Sequence, residues 1–268
     1  MPYESPASAI GFTVDLDNIE PHIDDSKYSR GRVPRDKILY PYGAVNAPFD
    51  ESLRIPMSEW DDRIEEQERL GTSLEHILRR NKYKGKDQNG LPYCWIFACV
   101  GAIEAIRCRE GLPYVELSAV SCGAKITGFR SRGGMGMEGM EFIPEHGIVP
   151  TSLWPECKLS RQYDTPEAWK AAEQFKLVRW MDVPDGDIEA MGSCLLRNIP
   201  LTSGYDGWGH EVWMGRLLKK GNKYVPRGHN SWGDDWGDDG WMTMDGSNRG
   251  MVWPNDCEAP MLVAYDGE

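Results

Sequence analysis

Histidine is scarce in this chain, with five in 268 residues. None of them forms the histidine half of a zinc knuckle. The seven cysteines, at 94, 99, 108, 122, 157, 194 and 257, include no pair with the two-residue gap such a site needs. No metal site and no cofactor are expected. No apolar run approaches the length of a bilayer span, so no membrane partner is expected either. The first residues, Met1-Pro2-Tyr3-Glu4-Ser5-Pro6, have neither the basic start nor the apolar stretch of a secretory signal. That absence predicts a cytoplasmic chain, or one built into a particle assembled there, unless a precursor segment has been removed. Its thiols are then mostly reduced. Basic residues are outnumbered, 30 Lys and Arg against 42 Asp and Glu, for a net charge of −12. A chain so acidic offers no phosphate-binding face, which argues against nucleic acid as a partner.

What is present is enough for a large core: 40% of the residues are hydrophobic and 11 are tryptophan. The length allows one large domain or two small ones. Residues 1–54 read as an extended arm, with prolines at 2, 6, 21, 34, 41 and 48 and little periodicity. The arm is a surface strap, a propeptide or a tether to an assembly partner, and the sequence does not choose among them. Residues 55–268 read as the folded domain, helical over about 55–165 and β-rich over about 176–264. Ser58 to Arg80 predicts two helices broken at Gly71, with Thr72-Ser73-Leu74-Glu75 as a capping box. A short basic loop follows (Lys82, Lys84, Lys86). Further helices are expected from Glu138 to Glu145, from Thr165-Pro166-Glu167 onward, and from Asp187 to Arg197. Beyond Pro200, His210 to Leu218 reads as a strand, Lys220-Gly221-Asn222 as a turn and Lys223 to Arg227 as its return. Pro226 places that return at an edge or a bulge.

The chain is organised around Asp87-Gln88-Asn89-Gly90-Leu91-Pro92-Tyr93-Cys94-Trp95-Ile96-Phe97-Ala98. A turn-rich lead runs into a segment, Cys94 to Cys108, whose only charges are Glu104 and Arg107. A helix apolar almost all round is a buried one. Cys94 then occupies its first turn, where unpaired N–H groups and the helix dipole favour a thiolate.

With Gln88 ahead of Cys94, His210 opening a strand and Asn230-Ser231-Trp232-Gly233 after it, the chain resembles the papain-like cysteine peptidases. Leu117-Ser118, Gly133-Gly134, Glu145-His146-Gly147-Ile148, Trp154-Pro155 and the Trp-Gly repeat from Trp232 to Trp241 follow the same pattern, so the resemblance spans about Ile55 to Ala264. It implies a two-lobed α+β fold: a helical lobe around the Cys94 helix, packed on an antiparallel, β-barrel-like lobe. It implies thiol-dependent hydrolysis of peptide bonds in a peptide or protein substrate. Cys94 is the nucleophile, His210 its base, Asn230 the group that orients the ring, and Gln88 the oxyanion donor. Together the helix start and the imidazolium are expected to hold the thiol pKa near about 4. Gly133, Gly134, Met135, Gly136, Gly209, Glu211 and Trp232 are the implied substrate-binding residues, with Trp232 screening the His210–Asn230 bond. If Glu211 lines the S2 pocket with Met135 and Gly136, a basic P2 side chain is preferred.

The departures from the pattern are equally definite. One of the usual disulfides has no cysteines here, while Cys122 and Cys157 match another pair, a bridge in an oxidising environment. The arm is shorter than the family's helical propeptide and does not resemble it. Asp234, Asp235, Asp238 and Asp239 read as a solvated loop, because their spacing is not that of a calcium loop. Two further readings stand beside the peptidase: a structural or binding component of an assembly such as a virus particle, and an acyl-transfer or deamidating enzyme.

Overall fold

A computed structural model describes residues 25–36, 38–39, 48–247 and 250–263. Helix α1 (Trp60–Leu70) ends at Gly71, whose φ of 62° is the left-handed turn that glycine adopts without a Cβ penalty. Helix α2 (Leu74–Arg80) starts as the sequence predicts, but its cap is shifted by one residue. Ser73, not Thr72, accepts from the His76 N–H. Glu75 takes no part in capping and is buried among Arg79, Arg216 and Arg227, because three charged donors outbid one backbone N–H. The loop that follows is basic only in composition. Lys86 is buried, donating to the Leu117 carbonyl at 2.6 Å and pairing with Glu104 at 3.0 Å.

Helix α3 (Cys94–Arg109) is the centre: 15 of its 16 residues are buried, which explains why it carries no amphipathic pattern. It packs on α4 (Ala119–Thr127) and α5 (Gly136–His146). The approach of α5 is set by Gly139, where a Cβ would fall 2.6 Å from Ile96 and 2.9 Å from the Cys99 sulfur. Helix α6 (Pro166–Ala172) opens on Thr165, whose hydroxyl accepts from the Ala168 N–H.

The chain then forms β1 (Leu177–Val183), helix α7 (Ile188–Leu196), β2 (Leu201–Tyr205), β3 (His210–Lys220), β4 (Lys223–His229), β5 (Trp241–Thr243) and β6 (Asp256–Val263). All pairings are antiparallel, in the order β1-β6-β2-β3-β4-β5. The α+β expectation holds, but the sheet is open and not barrel-like. Its outer strands, β1 and the three-residue β5, share no ladder, and closure requires one. Pro226 pairs with Leu217 and lies just outside the Arg227–His229 stretch that β5 covers, so β4 behaves as an edge there. The β2–β3 ladder and the α3·β3 packing bring the start of β3 to the start of α3.

Two apolar cores lie on either side of this junction. One gathers Tyr93, Trp95, Ile96, Phe97, Ile103, Val120 and Met140; the other gathers Trp60, Met191, Leu195, Leu201, Trp208 and Met214. The four aspartates after Trp232 are exposed, as the solvated-loop reading expects, and three of them also make contacts. Asp234 accepts from the Gly85 N–H at 2.7 Å, and Asp238 and Asp239 bind Arg79 at 2.7 and 3.1 Å. Cys122 and Cys157 are free thiols, as are the other five cysteines. No helix among the described residues is long and apolar enough to cross a membrane, and no cluster of metal-ligating side chains occurs there.

Candidate active site

Cys94 is the first residue of α3, and Tyr93 before it supplies no side-chain cap, so the helix-start donors remain available to a ligand. The lead loop is held against the loop after β4. Asp87 bridges Trp232, the Gln88 N–H donates to the Ser231 carbonyl at 2.9 Å, and the Gln88 Oε1 accepts from the Ser231 hydroxyl at 2.6 Å. The left-handed turn at Asn89 (φ 41°) and Gly90 (φ 80°) then folds the chain back to Cys94. With its oxygen engaged by Ser231, the Gln88 amide presents its NH₂ towards the cleft.

His210 opens β3, and its Nε2 lies 2.8 Å from Asn230 Oδ1. That oxygen also accepts from the Ser231 N–H at 2.7 Å, which fixes the orientation of the Asn230 amide. An oxygen acceptor at Nε2 assigns the ring proton to Nε2 and leaves the lone pair on Nδ1. Nδ1 is buried and has no hydrogen-bond partner among the described residues. Trp232 stacks on the ring at 4.5 Å and Trp208 meets it edge-on at 4.7 Å, together shielding the Asn230 bond from water. The Cys94 sulfur takes backbone N–H bonds from Gly31 at 3.3 Å and from Glu211, the residue after His210.

The arm fills the cleft. Tyr28 stacks on Trp232 at 4.5 Å, and the Ser29 carbonyl accepts from Gln88 Nε2 at 2.9 Å and from Trp232 Nε1 at 3.3 Å. The Gly31 carbonyl accepts from the Gly134 N–H at 3.0 Å, and the Val33 N–H donates to the Gly134 carbonyl at 2.8 Å. This is a parallel bridge between Arg32 and Gly134. Gly133 makes the approach possible, since a Cβ there would fall 2.3 Å from the Gly31 carbonyl oxygen. The Arg32 N–H donates to the Gly209 carbonyl at 3.3 Å. Its guanidinium reaches Asp256 at 2.5 Å, Asp206 at 2.8 Å and Glu211 at 3.4 Å.

Electrostatics inside the filled cleft run against the thiolate expectation. Burial, and then the negative charge of Glu211, push the Cys94 thiol up to about 12. Burial also pushes His210 down to about 3, with Asn230 opposing. With the arm in place Cys94 is therefore a neutral thiol and His210 a neutral imidazole. The reason is desolvation: Cys94 and His210 have no exposed surface, and burial disfavours both charges.

Of the residues singled out from sequence, Cys94, Gln88, Gly133, Gly134, Gly209, Glu211 and Trp232 meet the arm, while His210 and Asn230 pair with each other beside Trp232. Gly136, the first residue of α5, faces Glu211, whose carboxylate lies 2.0 Å from where a Gly136 Cβ would be. Met135 is half-buried beside it, its N–H donated to Glu138 at 2.9 Å. Sequence reasoning passed over Tyr28, Ser29, Arg32, Asp206, Trp208, Asp256 and Glu258. Only the alternation that puts Asp256 and Glu258 on one face of β6 could have pointed to any of them.

No protein-family model matches the chain. The chain is 27% identical over 211 residues to a cathepsin L-like peptidase of Aedes aegypti, covering 67% of this chain and 59% of that protein. It is 22% identical over 223 residues to a cysteine proteinase of Theileria parva, covering 77% and 50%. It is 26% identical over 229 residues to cathepsin S of Bos taurus, covering 72% and 66%. The chain thus spans about half to two thirds of the length of these relatives. Among solved structures, xylellain, a cysteine protease from Xylella fastidiosa, superposes with a TM-score of 0.60 at 16% identity, covering 90% of this chain and 97% of that one. Digestive procathepsin L 3 of Tenebrio molitor gives a TM-score of 0.54 at 18% identity, covering 89% and 84%. The ragweed protease Amb a 11 in its proform gives 0.53 at 20% identity, covering 71% and 66%.

Proposed function

We propose, on the premise that this chain is a papain-like cysteine peptidase domain, that it hydrolyses peptide bonds through Cys94, His210, Asn230 and Gln88 and is held latent by its own arm. The observation that carries the reading is the Ser29 carbonyl. A peptide oxygen already sits on the Gln88 and Trp232 donors, two residues from an N–H resting on the Cys94 sulfur.

The chemistry follows from the tautomer. Nδ1 of His210 carries the lone pair, so it takes the Cys94 proton as the sulfur attacks a substrate carbonyl carbon. Asn230 holds the ring and stabilises its Nε2–H as positive charge develops, the part of the third member of a triad. The oxyanion is received by Gln88 Nε2 and by the Cys94 N–H at the helix start. The imidazolium returns its proton to the departing amine, and water then hydrolyses the thioester. The leaving amine must depart on the His210 and Trp232 side, so the acyl part of a substrate lies along Gly134. A substrate therefore runs from Gly134 towards Trp232. The arm runs the other way, from Tyr28 on Trp232 to Arg32 on Gly134. Two of the similar solved structures are a procathepsin and a proform by name, which supports an arm of this kind.

The complete burial of Cys94 favours one other reading, a permanently plugged module without catalysis. The two separate in one experiment. Limited proteolysis of the arm is followed by fluorogenic peptide hydrolysis and by alkylation mapped to Cys94. Hydrolysis that appears as the arm is cut, and vanishes on alkylation of Cys94, supports the peptidase. A freely alkylated Cys94 with no hydrolysis of any peptide would sink it.

A further inference from the structure

The pocket that receives Arg32 is more elaborate than a single acidic residue at the cleft edge. Its walls come from two stretches that are far apart in sequence: Asp206 after β2 with Glu211 on β3, and Asp256 with Glu258 on β6. The guanidinium is bound by Asp206 through both Nε, at 3.0 Å, and Nη2, at 2.8 Å. Asp256 takes Nη2 at 2.5 Å and Glu211 takes Nη1 at 3.4 Å. Glu258 stands behind Glu211: both carboxylates come within 3.0 Å of the point a Gly136 Cβ would occupy. Its outer oxygen lies 2.5 Å from the Thr202 hydroxyl.

Space for the cation is left by glycines. A Cβ on Gly204 would fall 1.9 Å from Arg32 Nη1 and 2.5 Å from Asp256 Oδ1, so any side chain at 204 closes the pocket. The occupant itself is buried, its side chain only 2% exposed, and Glu211 likewise at 2%. A second cation stands nearby, but Arg35 is committed to Asp182 at 2.6 Å. Arg32 is thus the one guanidinium in direct contact with Asp206, Glu211 and Asp256 among the described residues. Burial pushes Glu211, Asp256 and Glu258 above the usual carboxylate range, with mutual repulsion adding to it and Arg32 opposing it at Glu211 and Asp256.

From this geometry we infer that the Gly134-side pocket selects substrates bearing an arginine, and less well a lysine, and that Arg32 holds the place of that side chain. The inference rests on the peptidase reading and assigns its substrate class. When a substrate displaces the arm, the buried carboxylates lose Arg32. A substrate arginine restores the fork contacts, a lysine restores only a point charge, and a leucine or phenylalanine leaves the carboxylates buried without a partner. Truncating one partner of a buried, hydrogen-bonded charge pair weakens recognition by about 10²–10³-fold in comparable interfaces.

The test uses the full chain and its Arg32→Ala variant, each after the limited proteolysis that frees the cleft of the arm. A series of fluorogenic peptides varies the residue that lies against Gly134. Arginine is expected to exceed leucine and phenylalanine by about 10²-fold in kcat/KM. Glu211→Gln is expected to lower that ratio about tenfold, and Gly204→Ala to abolish it by filling the guanidinium's place. Should Arg32→Ala not fold, Arg32→Gln keeps the stem without the charge and carries the same comparison. Hydrolysis in which leucine or phenylalanine matches arginine overturns the inference and leaves the peptidase intact. If no peptide is cut, the peptidase reading fails, and the pocket is judged by calorimetry with Arg32→Ala. Saturable, salt-sensitive binding of N-acetyl-arginine amide in preference to N-acetyl-leucine amide supports it, and equal or absent binding overturns it.

Discussion

Gly31 is the point at which the arm-filled cleft can be opened with one methyl group. A Cβ on that residue would fall 1.9 Å from the Pro92 carbonyl oxygen and 2.4 Å from the Pro92 carbonyl carbon. Both atoms belong to the backbone that launches α3, so they cannot swing aside as a flexible side chain would. In Gly31→Ala the arm must retreat by about 1.5 Å to reach the 3.4 Å of ordinary contact. That displacement stretches four bonds at once: Gly31 N–H to the Cys94 sulfur, the pair with Gly134, and Arg32 N–H to Gly209. At a net worth of about 1 kcal/mol each, partial loss of the set favours the open cleft by about 2–4 kcal/mol. The population of open molecules then rises about 30- to 10³-fold. Opening returns water to Cys94 and removes the burial that holds its thiol up at about 12, so the helix start and His210 can act on it. The assay is the rate of iodoacetamide alkylation at Cys94, mapped by mass spectrometry at fixed pH, with peptide hydrolysis in parallel. When opening and closing are faster than alkylation, the rate tracks the open population. The wild-type chain should react far more slowly than a free thiol, and Gly31→Ala faster by the same factor. A folded Gly31→Ala protein that reacts at the wild-type rate would refute the reasoning, as would a wild-type Cys94 that already reacts like a free thiol.

Once the arm is cut, Gln88→Ala should lower kcat about 10²–10³-fold with little change in KM, since its donor serves the oxyanion more than the ground state; steady-state kinetics decide it. Asn230→Ala removes the acceptor at His210 Nε2 and should depress kcat by at least about tenfold while altering the acid limb of the pH–rate profile; an unchanged profile contradicts the assigned role. The buried Glu104 is pushed up to about 7, mainly by desolvation, with Lys86 opposing. A raised carboxylate binds its proton more tightly in the folded state, so its contribution to stability is present at low pH and is lost as pH rises from about 4.5 to about 7. Thermal unfolding across that window should show Tm falling, and Glu104→Gln should flatten the fall. Glu75 is the opposite case, held down at about 2 by Arg227, Arg216 and Arg79 against its burial. Its contribution is present above the unfolded value and lost as pH falls towards 2, and Glu75→Ala should cost about 3–5 kcal/mol in chemical denaturation at neutral pH.

The sequence alone determined those features whose cause is local. An uninterrupted apolar stretch from Cys94 marked the buried helix, and glycine at 71 marked the end of α1. Asp187 and Thr165 marked helix starts through side chains that reach only three residues ahead. The order of Gln88, Cys94, His210 and Asn230 carried the resemblance and with it the four residues proposed for catalysis. Even there, the competition for Glu75 moved a cap by one residue, because three arginines arrive from elsewhere in the chain. Tertiary structure alone decided the rest. The arm's direction, the protonation of Cys94 and His210, and the gathering of Arg32 with Asp206, Glu211 and Asp256 all depend on pairings across as many as 224 positions. Periodicity records which residues share a face within a few positions. It carries no record of which distant strand will lie alongside, or of how much water that contact removes, and in this cleft the removal of water sets the charge of every group that matters.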